Sequence, residues 1–522
     1  MKTMKKTSLI MLLAALVLAT GCEKSFLDKE ALGSLSGETV IKTQNGMQMM
    51  LAGAYHNLQH TSYYGGLLVL YEAAKGPDFF VRNAGGGYAF YVENRYAESS
   101  NLNGNARSMW EKIYNTIRAT SLILDNIDDV AGDIEVLRQI KGEAYALRGL
   151  CYFDLSRVYA YPPRYSCTWG SAYNENCKWG VPIIEDSDVS FNILDHNICR
   201  AKADDTWNYI VEQFEKAYNL LEGRMPEEGH VGPAAVLGLL MRTYLYMEKN
   251  DLVIETGTEW LDKYEANYSL LSYDQYRTQY YKPFNSESIW EVKFTETDNL
   301  GGNAINYWVR HPTYDIPDGD MDGQVSANIG YAKLGLTFGD SQNGYEAMRA
   351  YANDVRRYLI CDLGIPGKNY KTIRRYIGSP YHFLHNITII RLPEIYFALS
   401  EAYYKTGKTT EAVEYLSRIT IARRKANATI SKVNDILDES RREFILEGHT
   451  YWDWFRNGRN ITGRPIIESI GSTATITFGA NTGLGYRAVY PIPLSEMNAN
   501  PAIRDQQNQG YAPWKFGVEE DI

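Results

Sequence analysis

Apolar residues in the second half of the chain recur at helical spacing. Between residues 391 and 424 they follow a period near 3.6 on both sides of a Gly407-Lys408 turn. A glycine at such a turn is typical of the end of a helix, so the pattern predicts two helices packed face to face. The positions that form the two facing sides are Tyr396, Leu399, Ser400, Tyr403, Ala412, Leu416 and Ile419.

The order of residues in this hairpin is that of a tetratricopeptide repeat, whose units bury their apolar faces only when neighbours stack on them. The length of the chain alone would allow two or three domains, but a repeat array equally makes one continuous body. The same periodicity predicts further helices at Gly46–Gln59, Ala106–Ile127, Ile134–Tyr159, Ala203–Leu221, Pro233–Tyr246 and Asp251–Tyr264.

The pattern changes between about residues 265 and 385. Short β-prone runs, such as Ser288 to Phe294, alternate there with loops rich in glycine and tyrosine. We therefore predict a mainly α fold, a right-handed tetratricopeptide-like superhelix with an irregular, loop-rich lobe that contains short β segments. Four hairpins would occupy about residues 46–265 and 386–460, and the lobe would be inserted at about 265–385.

A further helix is predicted after Ser431, which would cap it, and before Gly448, which would end it. Acidic and arginine side chains, among them Glu439, Arg442 and Glu443, lie about one turn apart along this helix. They favour a network of charges that fixes the helix to the turn after it. The apolar stripe of the helix comprises Val433, Ile436, Leu437, Phe444 and Ile445.

The first residues are typical of an export signal. Three lysines precede the apolar run Leu9–Ala19, which is short for a membrane span and ends in small residues before Cys22. We predict a lipoprotein signal peptide over residues 1–21, acylation of Cys22, and a lipid-anchored tether over residues 22–45. A plain secretory signal is the alternative.

Charge and cysteine spacing narrow the classes of partner. Cleavage after residue 21 would leave 50 basic against 63 acidic side chains, a net charge of −13, which disfavours binding to nucleic acid. The cysteines after Cys22 match no zinc pattern. In an exported protein the close pair Cys167 and Cys177 could form a disulfide, and free thiols are the alternative.

Two groups of acidic residues have spacings that suggest an acid–base pair or a calcium site. Glu443 and Glu447 lie one helical turn apart, as an acid–base pair would require, but the arginines around them favour a structural charge network. No metalloprotease motif, nucleophile elbow or phosphate loop occurs in the sequence, so we predict no enzyme. Asp318, Asp320 and Asp322 with Gly323 resemble half of a calcium loop, but Ile329 stands where a glutamate is required.

Aromatic residues give the stronger signal, with 41 Tyr and 10 Trp in the chain. Many lie in loops beside Asn, Asp and Arg, and sugars bind to exposed rings flanked by such hydrogen-bonding groups. The alternative is that the rings pack the lobe against the helices. The candidate glycan-binding residues in two such loops are Arg82, Tyr88, Tyr91, Asn94, Tyr96, Tyr307, Trp308 and Tyr314.

One segment has a specific family resemblance. RREFILEGHTYWDWFR, residues 441–456, resembles the signature near the end of the SusD/RagB family of outer-membrane nutrient-binding lipoproteins. The residues of this signature that we expect to have a structural role are Arg442, Glu443, Glu447, Trp452, Asp453 and Arg456. Weaker resemblances are the helix with GEAYALRGLCYFDLSRVYA, in which Gly149 replaces the family's alanine, the GVPII loop at 180–184, and YPIPLSEMNANP at 490–501.

The resemblance implies a role at the cell surface. It predicts a SusD-like domain over residues 46–522 that captures oligosaccharides and passes them to a TonB-dependent transporter of the SusC kind, without chemistry. It also implies an outward-facing lipid anchor in the outer membrane, and ligand contacts from irregular segments outside the repeats. Transport of peptides or other nutrients, or a role as a protein-binding scaffold, are the alternatives.

Overall fold

The computed structural model describes the chain in several stretches. They are residues 41–81, 90–100, 104–185, 198–280, 282–305, 334–336, 351–362, 371–373, 385–465, 473–479, 484–512 and 514.

Most of the described residues belong to helices. The helices are α1 (Gln44–Gln59), α2 (Leu67–Lys75), α3 (Tyr91–Arg95), α4 (Gly104–Asn126), α5 (Ile134–Tyr159), α6 (Pro163–Ser166), α7 (Ala203–Leu221), α8 (Pro233–Tyr246), α9 (Asn250–Tyr264), α10 (Tyr273–Gln279), α11 (Leu392–Lys405), α12 (Thr409–Arg424), α13 (Val433–Glu443), α14 (Thr450–Arg456) and α15 (Leu494–Ala499). The strands are β1 (Phe79–Val81), β2 (Ser288–Val292), β3 (Leu334–Leu336), β4 (Ile360–Asp362), β5 (Lys371–Ile373), β6 (Ile387–Arg391), β7 (Ile461–Pro465) and β8 (Thr473–Ile476).

The long helices stack in chain order. Helix α1 packs on α4, α4 on α5, α5 on α7, α7 on α8, α8 on α9, α9 on α11, and α11 on α12. This gives four helix pairs, α1/α4, α5/α7, α8/α9 and α11/α12, each of which covers the apolar face of the next. The mainly helical fold class and the stacked hairpins predicted from the periodicity are confirmed.

Two glycines permit close approaches within the stack. Gly407 adopts φ +81° at the turn between α11 and α12. This conformation is unfavourable in free energy for any residue that has a Cβ atom. Gly149 lies where α5 meets α7, and a Cβ atom there would lie 3.0 Å from Cε1 of Phe214. The replacement of the family's alanine by Gly149 therefore matches the tight contact between these helices.

Within the described stretches, four two-stranded antiparallel sheets lie beside the stack. They pair β1 with β3, β2 with β6, β4 with β5, and β7 with β8. The β2–β6 pair joins residues 288–292 to 387–391, so the two ends of the predicted lobe meet beside α11. The strand predicted at Ser288–Phe294 is confirmed but ends at Val292.

The helix that carries the family signature is shorter than predicted. Helix α13 begins at Val433 and ends at Glu443, five residues before Gly448. The residue at its N-cap is Lys432, so the prediction that Ser431 caps the helix is wrong. Ser431 instead donates through its backbone N and its Oγ to the Asp435 carboxylate, at 2.8 Å each.

The C-terminal part of the chain closes on the N-terminal helices. The backbone N of Tyr490 donates to the carbonyl of Val158 at 2.9 Å, and Nδ2 of Asn508 donates to the carbonyl of Tyr159 at 2.7 Å. Arg200 is buried and donates to backbone carbonyls of both Gly180 and Gln506. The tail and the first helices therefore share one core.

The predicted disulfide is absent. Cys167 and Cys177 are both free and buried. Each thiol faces a different neighbour, since the sulfur of Cys167 lies 4.0 Å from Oγ of Ser166 and that of Cys177 lies 4.0 Å from Oε1 of Gln509. The two thiols thus fill separate places in the core as small apolar groups.

Candidate functional site

The structure describes only part of the two loops in which we predicted glycan contacts. Tyr91 begins the short helix α3, which ends one residue before Tyr96. The candidates that lie outside the described residues are Arg82, Tyr88, Tyr307, Trp308 and Tyr314 for glycan, Asp318, Asp320 and Asp322 for calcium, and Cys22 for the lipid.

Asn94 and Tyr96 occupy the interior and not the surface. Each is 1% exposed, Nδ2 of Asn94 donates to the carbonyl of Ala74 at 3.1 Å, and the Tyr96 hydroxyl donates to the carbonyl of Lys75 at 2.8 Å. A ring stacks on a sugar only through an open face, so the prediction that these two residues contact glycan is wrong. They attach the 90–100 segment to the end of α2.

A buried ion pair strengthens this attachment. The ammonium of Lys75 contacts the carboxylate of Glu98, and neither side chain is exposed to solvent. Nζ of Lys75 also donates to the carbonyl of Arg487 at 2.7 Å and lies 4.1 Å from the centre of the Tyr96 ring. Burial raises the pKa of Glu98 to about 7, although Lys75 lowers it. The 90–100 segment is therefore firmly held against the end of α2.

The signature segment forms a buried charge network. The guanidinium of Arg391, at the end of β6, donates to Oε2 of Glu447 at 2.9 Å, to Oε1 of Glu443 at 2.6 Å, and to Oε2 of Glu287 at 3.1 Å. Arg423 from α12 also donates to Glu443 and Glu287. Strands β2 and β6 are thus joined to α12 and α13 through charges.

A third arginine extends the network to the segment of residues 351–362. Arg356 is fully buried, and its Nη1 donates to Oε2 of Glu443 at 3.1 Å while its Nε donates to Oδ1 of Asp354 at 2.9 Å. Burial alone would raise the pKa of Glu443, but Arg423, Arg391 and Arg356 outweigh it and hold the pKa well below its usual range. The lowered pKa favours the ionised carboxylate, the form that a structural charge network requires.

The rest of the signature fixes α14. Nη1 of Arg456 donates to Oε1 of Glu401 on α11 at 2.6 Å, and its Nη2 lies 2.8 Å from Oδ1 of Asp453. Trp452 donates from its indole N to the carbonyl of Arg157 at 3.0 Å. These contacts agree with the structural role that we predicted from the arginines around Glu443.

A small cavity lies between α5, α8, α11, α13 and α14. Its volume of about 30 Å³ corresponds to a single water, which is too small for a sugar ring. Charged groups line it, among them Arg157, Arg242, Glu394 and His449. In the described stretches of the chain, no group of three or more His, Cys, Asp or Glu side chains could hold a metal ion.

A surface that the sequence analysis did not single out combines exposed rings with cations. We name it the tyrosine–arginine surface. Tyr351 and Tyr358 are 40% and 46% exposed. The guanidinium carbon of Arg277 on α10 lies 3.9 Å from the centre of the Tyr358 ring, and that of Arg424 on α12 lies 4.0 Å from the centre of the Tyr351 ring. The pairs are distant in sequence, so no local pattern indicates them.

Two sequence family descriptions match the chain. A SusD-like family described as starch-binding and associating with the outer membrane matches residues 25–245, and the SusD/RagB family matches residues 369–511. Among curated relatives, SusD-like protein P38 of Formosa agariphila is 23% identical over 569 residues, covering 98% of this chain and 100% of the relative.

Solved structures share the architecture. A SusD superfamily protein from Bacteroides thetaiotaomicron superposes with a TM-score of 0.74 at 25% identity, over 89% of this chain and 99% of that chain. A laminarin-binding SusD-like protein superposes with a TM-score of 0.70 at 22% identity, over 90% of this chain and 100% of that chain.

The stacked helix pairs, the two-stranded sheets beside them and the buried signature network define the class of the protein as a mainly α helical-repeat protein. With the family matches at both ends, the chain belongs to the SusD/RagB family. The family description that matches residues 25–245 names starch binding and association with the outer membrane. None of the helices within the described residues is both long enough and apolar enough to cross a membrane.

Proposed function

We propose that this protein captures oligosaccharides at the cell surface and passes them, unaltered, to a TonB-dependent transporter of the SusC kind. The observation that carries this proposal is membership of the SusD/RagB family, supported by the matches over residues 25–245 and residues 369–511. The laminarin-binding relative supports a glycan as the cargo, since it shares this fold. Acylation of Cys22 would attach the protein to the outer membrane, facing outward.

The ligand contacts would come from the two loops predicted from the sequence. Arg82, Tyr88 and Tyr91 would act in the first loop, and Tyr307, Trp308 and Tyr314 in the second. The buried attachment of the 90–100 segment supports this arrangement, because Asn94, Tyr96 and Glu98 fix part of the first loop, residues 82–103, to α2. A loop anchored at its base loses less conformational entropy when it binds.

A non-catalytic role is supported by the state of the carboxylates in the signature. Glu443 is ionised and shared among three arginines, and Glu447 accepts from Arg391 and from the Tyr280 hydroxyl. Both side chains are buried, so a glycosidic bond would have no access to them.

The test is a titration of the purified protein with a panel of neutral and acidic polysaccharides, in which binding is measured by tryptophan fluorescence and by calorimetry. We expect saturable binding of at least one glycan and a loss of binding in Trp308→Ala. Trp514→Ala is the matched control, because its ring packs against Arg504 near the C-terminus. Binding of peptides alone, or of no small ligand, would contradict the glycan role and favour the nutrient or scaffold alternatives.

Turnover and partnership need separate measurements. Prolonged incubation with the bound polysaccharide should release no reducing ends, and any release that Glu447→Gln abolishes would contradict the non-catalytic role.

The transporter should co-purify with the wild-type protein from outer membranes. Cys22→Ser should abolish labelling by a fatty acid and release the protein from the membrane; retention without the label would contradict the lipid anchor.

A further inference from the structure

The tyrosine–arginine surface extends over three elements. The ammonium of Lys425, which follows Arg424 at the end of α12, lies 4.4 Å from the centre of the Tyr273 ring at the start of α10. Arg277, one turn further along α10, covers the ring of Tyr358. Three ring–cation pairs therefore lie on α10, on the end of α12 and on the segment of residues 351–358.

The two exposed tyrosines are held on a rigid base. Asp354 and Arg356 lie between them in the chain, are almost fully buried, and are joined to Glu439 and Glu443 of α13. Tyr351 itself accepts a backbone hydrogen bond from Asp354 at 3.1 Å. Rings that are positioned before the ligand arrives lose little entropy on binding, which favours a recognition surface.

The surface carries exposed cations on a chain whose net charge is −10. Arg277 and Arg357 are exposed, as is Lys425, whose nearest acidic partner Asp274 is 3.9 Å away and 86% exposed. A cation in water gains little from so exposed a pair, so its charge remains available to a ligand.

Two guanidinium groups, those of Arg424 and Arg442, lie against the ring of Tyr351. Arg424 and Arg442 both donate to the same oxygen, Oε2 of Glu439, at 2.6 Å, while Arg356 contacts the other oxygen of that carboxylate. Nε of Arg442 is buried and makes no hydrogen bond with any described residue, and its guanidinium carbon lies 5.0 Å from the centre of the Tyr351 ring. Arg356 is also held by Asp354 and Glu443, so Arg424 and Arg442 are the two guanidinium groups at this place whose described carboxylate partner is Glu439.

We propose that the tyrosine–arginine surface binds an acidic oligosaccharide whose sugars carry carboxylate groups. The apolar faces of the sugar rings would stack on Tyr351 and Tyr358, and the carboxylates would pair with Arg277 and Lys425. The proposal rests on the proposed function as a glycan-binding protein and names the class of glycan. A neutral glycan would leave these cations without a role in recognition.

The matched probe is a tetrasaccharide of galacturonic acid and its fully methyl-esterified form, which has the same backbone without the charges. Tetrasaccharides of mannuronic and of glucuronic acid test other linkages, and a neutral glucan is the reference. Calorimetric titrations with the purified protein should show binding of at least one acid form, at least tenfold tighter than its ester, with an affinity that falls as salt is added.

Two variants test the position of the site. Tyr358→Ala and Arg277→Gln should each weaken binding of the acidic probe about tenfold, since each removes one stacking or charge-assisted contact. Tyr173→Ala and Arg107→Gln are the controls, because both residues are exposed on other elements. They should leave the affinity unchanged, and a thermal melt of each variant checks that the fold is retained.

The outcomes separate this proposal from the proposed function. Binding of the neutral glucan without any preference for acid forms would overturn the acidic-ligand proposal and leave the glycan role intact. Acid-selective binding that survives both Tyr358→Ala and Arg277→Gln would overturn the location. Absence of binding to every probe, acidic and neutral, would count against both proposals.

Discussion

Arg391 connects parts of the chain that are far apart in sequence. Its guanidinium contacts Glu287 just before β2, Glu443 from α13 and Glu447 from the turn after it, and all four side chains are buried. Removal of one member of a buried charge network leaves the others without a counter-charge in a medium that solvates them poorly. The cost of such a loss is therefore much larger than that of an exposed ion pair.

We expect Arg391→Met to lower the free energy of unfolding by about 3–5 kcal/mol, as measured by urea denaturation. The control is Arg418→Met, because Arg418 is about one-third exposed and pairs with Glu265 and Glu414 at the surface. That change should cost roughly 1 kcal/mol or less. Equal losses in the two variants would contradict a special role for the buried network.

The raised pKa of His230 makes the stability of the protein depend on pH. Its Nδ1 lies 2.8 Å from Oε2 of Glu143, which also accepts from the Tyr55 hydroxyl at 2.6 Å. Burial lowers the pKa of His230, but the hydrogen bond with Glu143 and its charge outweigh burial, and the net pKa is raised. Because the folded pKa is the higher one, the stabilisation is complete below the unfolded value of about 6.5 and is lost as pH rises through the folded pKa.

The measurement compares the melting temperatures of the wild type and His230→Gln between about pH 5 and pH 9. We expect the difference in melting temperature to be largest at the acid end and to shrink as His230 loses its proton. His56→Gln is the control, since His56 is on the exposed side of α1 and pairs with Gln59. A difference that is constant with pH would contradict the raised pKa of His230.

Asn94 and Tyr96 show where reasoning from residue type fails. In the sequence they are an amide and a ring in a polar loop, which is typical of a sugar site. In the structure the same groups satisfy the carbonyls at the end of α2. Residue type cannot distinguish the two uses, since both need a hydrogen-bonding group beside an aromatic ring.

The helices of the stack were predicted well because each carries its own apolar period. The bounds of α5, α7 and α8 agree with the prediction at both ends, and those of α1, α4 and α9 agree within two residues. The ends of α13 were predicted less well. The apolar stripe there continues through Phe444 and Ile445, but Leu446 adopts φ +60° and the helix has already ended at Glu443.

The turn between α11 and α12 provides a matched pair of glycine substitutions. Gly407 has φ +81°, and a Cβ atom there would touch nothing within 4 Å, so Gly407→Ala tests the backbone conformation alone. We expect it to destabilise the protein by about 1–2 kcal/mol, the cost of a left-handed conformation. Gly53→Ala is the control, because Gly53 is exposed in α1 with equal space around it.

The two substitutions should have opposite signs. Gly53→Ala should stabilise the protein by about 0.5–1 kcal/mol, since alanine favours a helix interior. Both are measured by urea denaturation of the purified variants. A stabilising Gly407→Ala would show that the turn does not depend on the positive φ.

The two ends of the molecule are joined into one cooperative structure. Arg441 from α13 pairs with Asp78 after α2 at 2.6 Å, and the backbone N of Tyr451 donates to Oε1 of Glu72 at 2.8 Å. Arg200 donates to the carbonyls of Gly180, Tyr159 and Gln506. Neither end of the chain buries these polar groups by itself.

We therefore expect calorimetry to show one unfolding transition, with equal calorimetric and van't Hoff enthalpies. Arg200→Met should lower the temperature of the whole transition, because it removes contacts that join the N-terminal helices to the tail. Arg224→Met is the control, since Arg224 pairs with the exposed Glu135. Two separate transitions, or a shift of only part of the heat, would contradict the shared core.

The sequence by itself determined the stacked helices, the turn at Gly407 and the family, because the apolar period and the signature segment are local patterns. Tertiary structure alone decided which polar groups meet. Glu443 becomes a permanently charged centre through Arg356, Arg391 and Arg423, which lie 20 to 87 residues away. The free thiols of Cys167 and Cys177, the buried Tyr96 and the tyrosine–arginine surface have the same origin. Burial and long-range pairing depend on the packing of distant segments, and no local spacing records them.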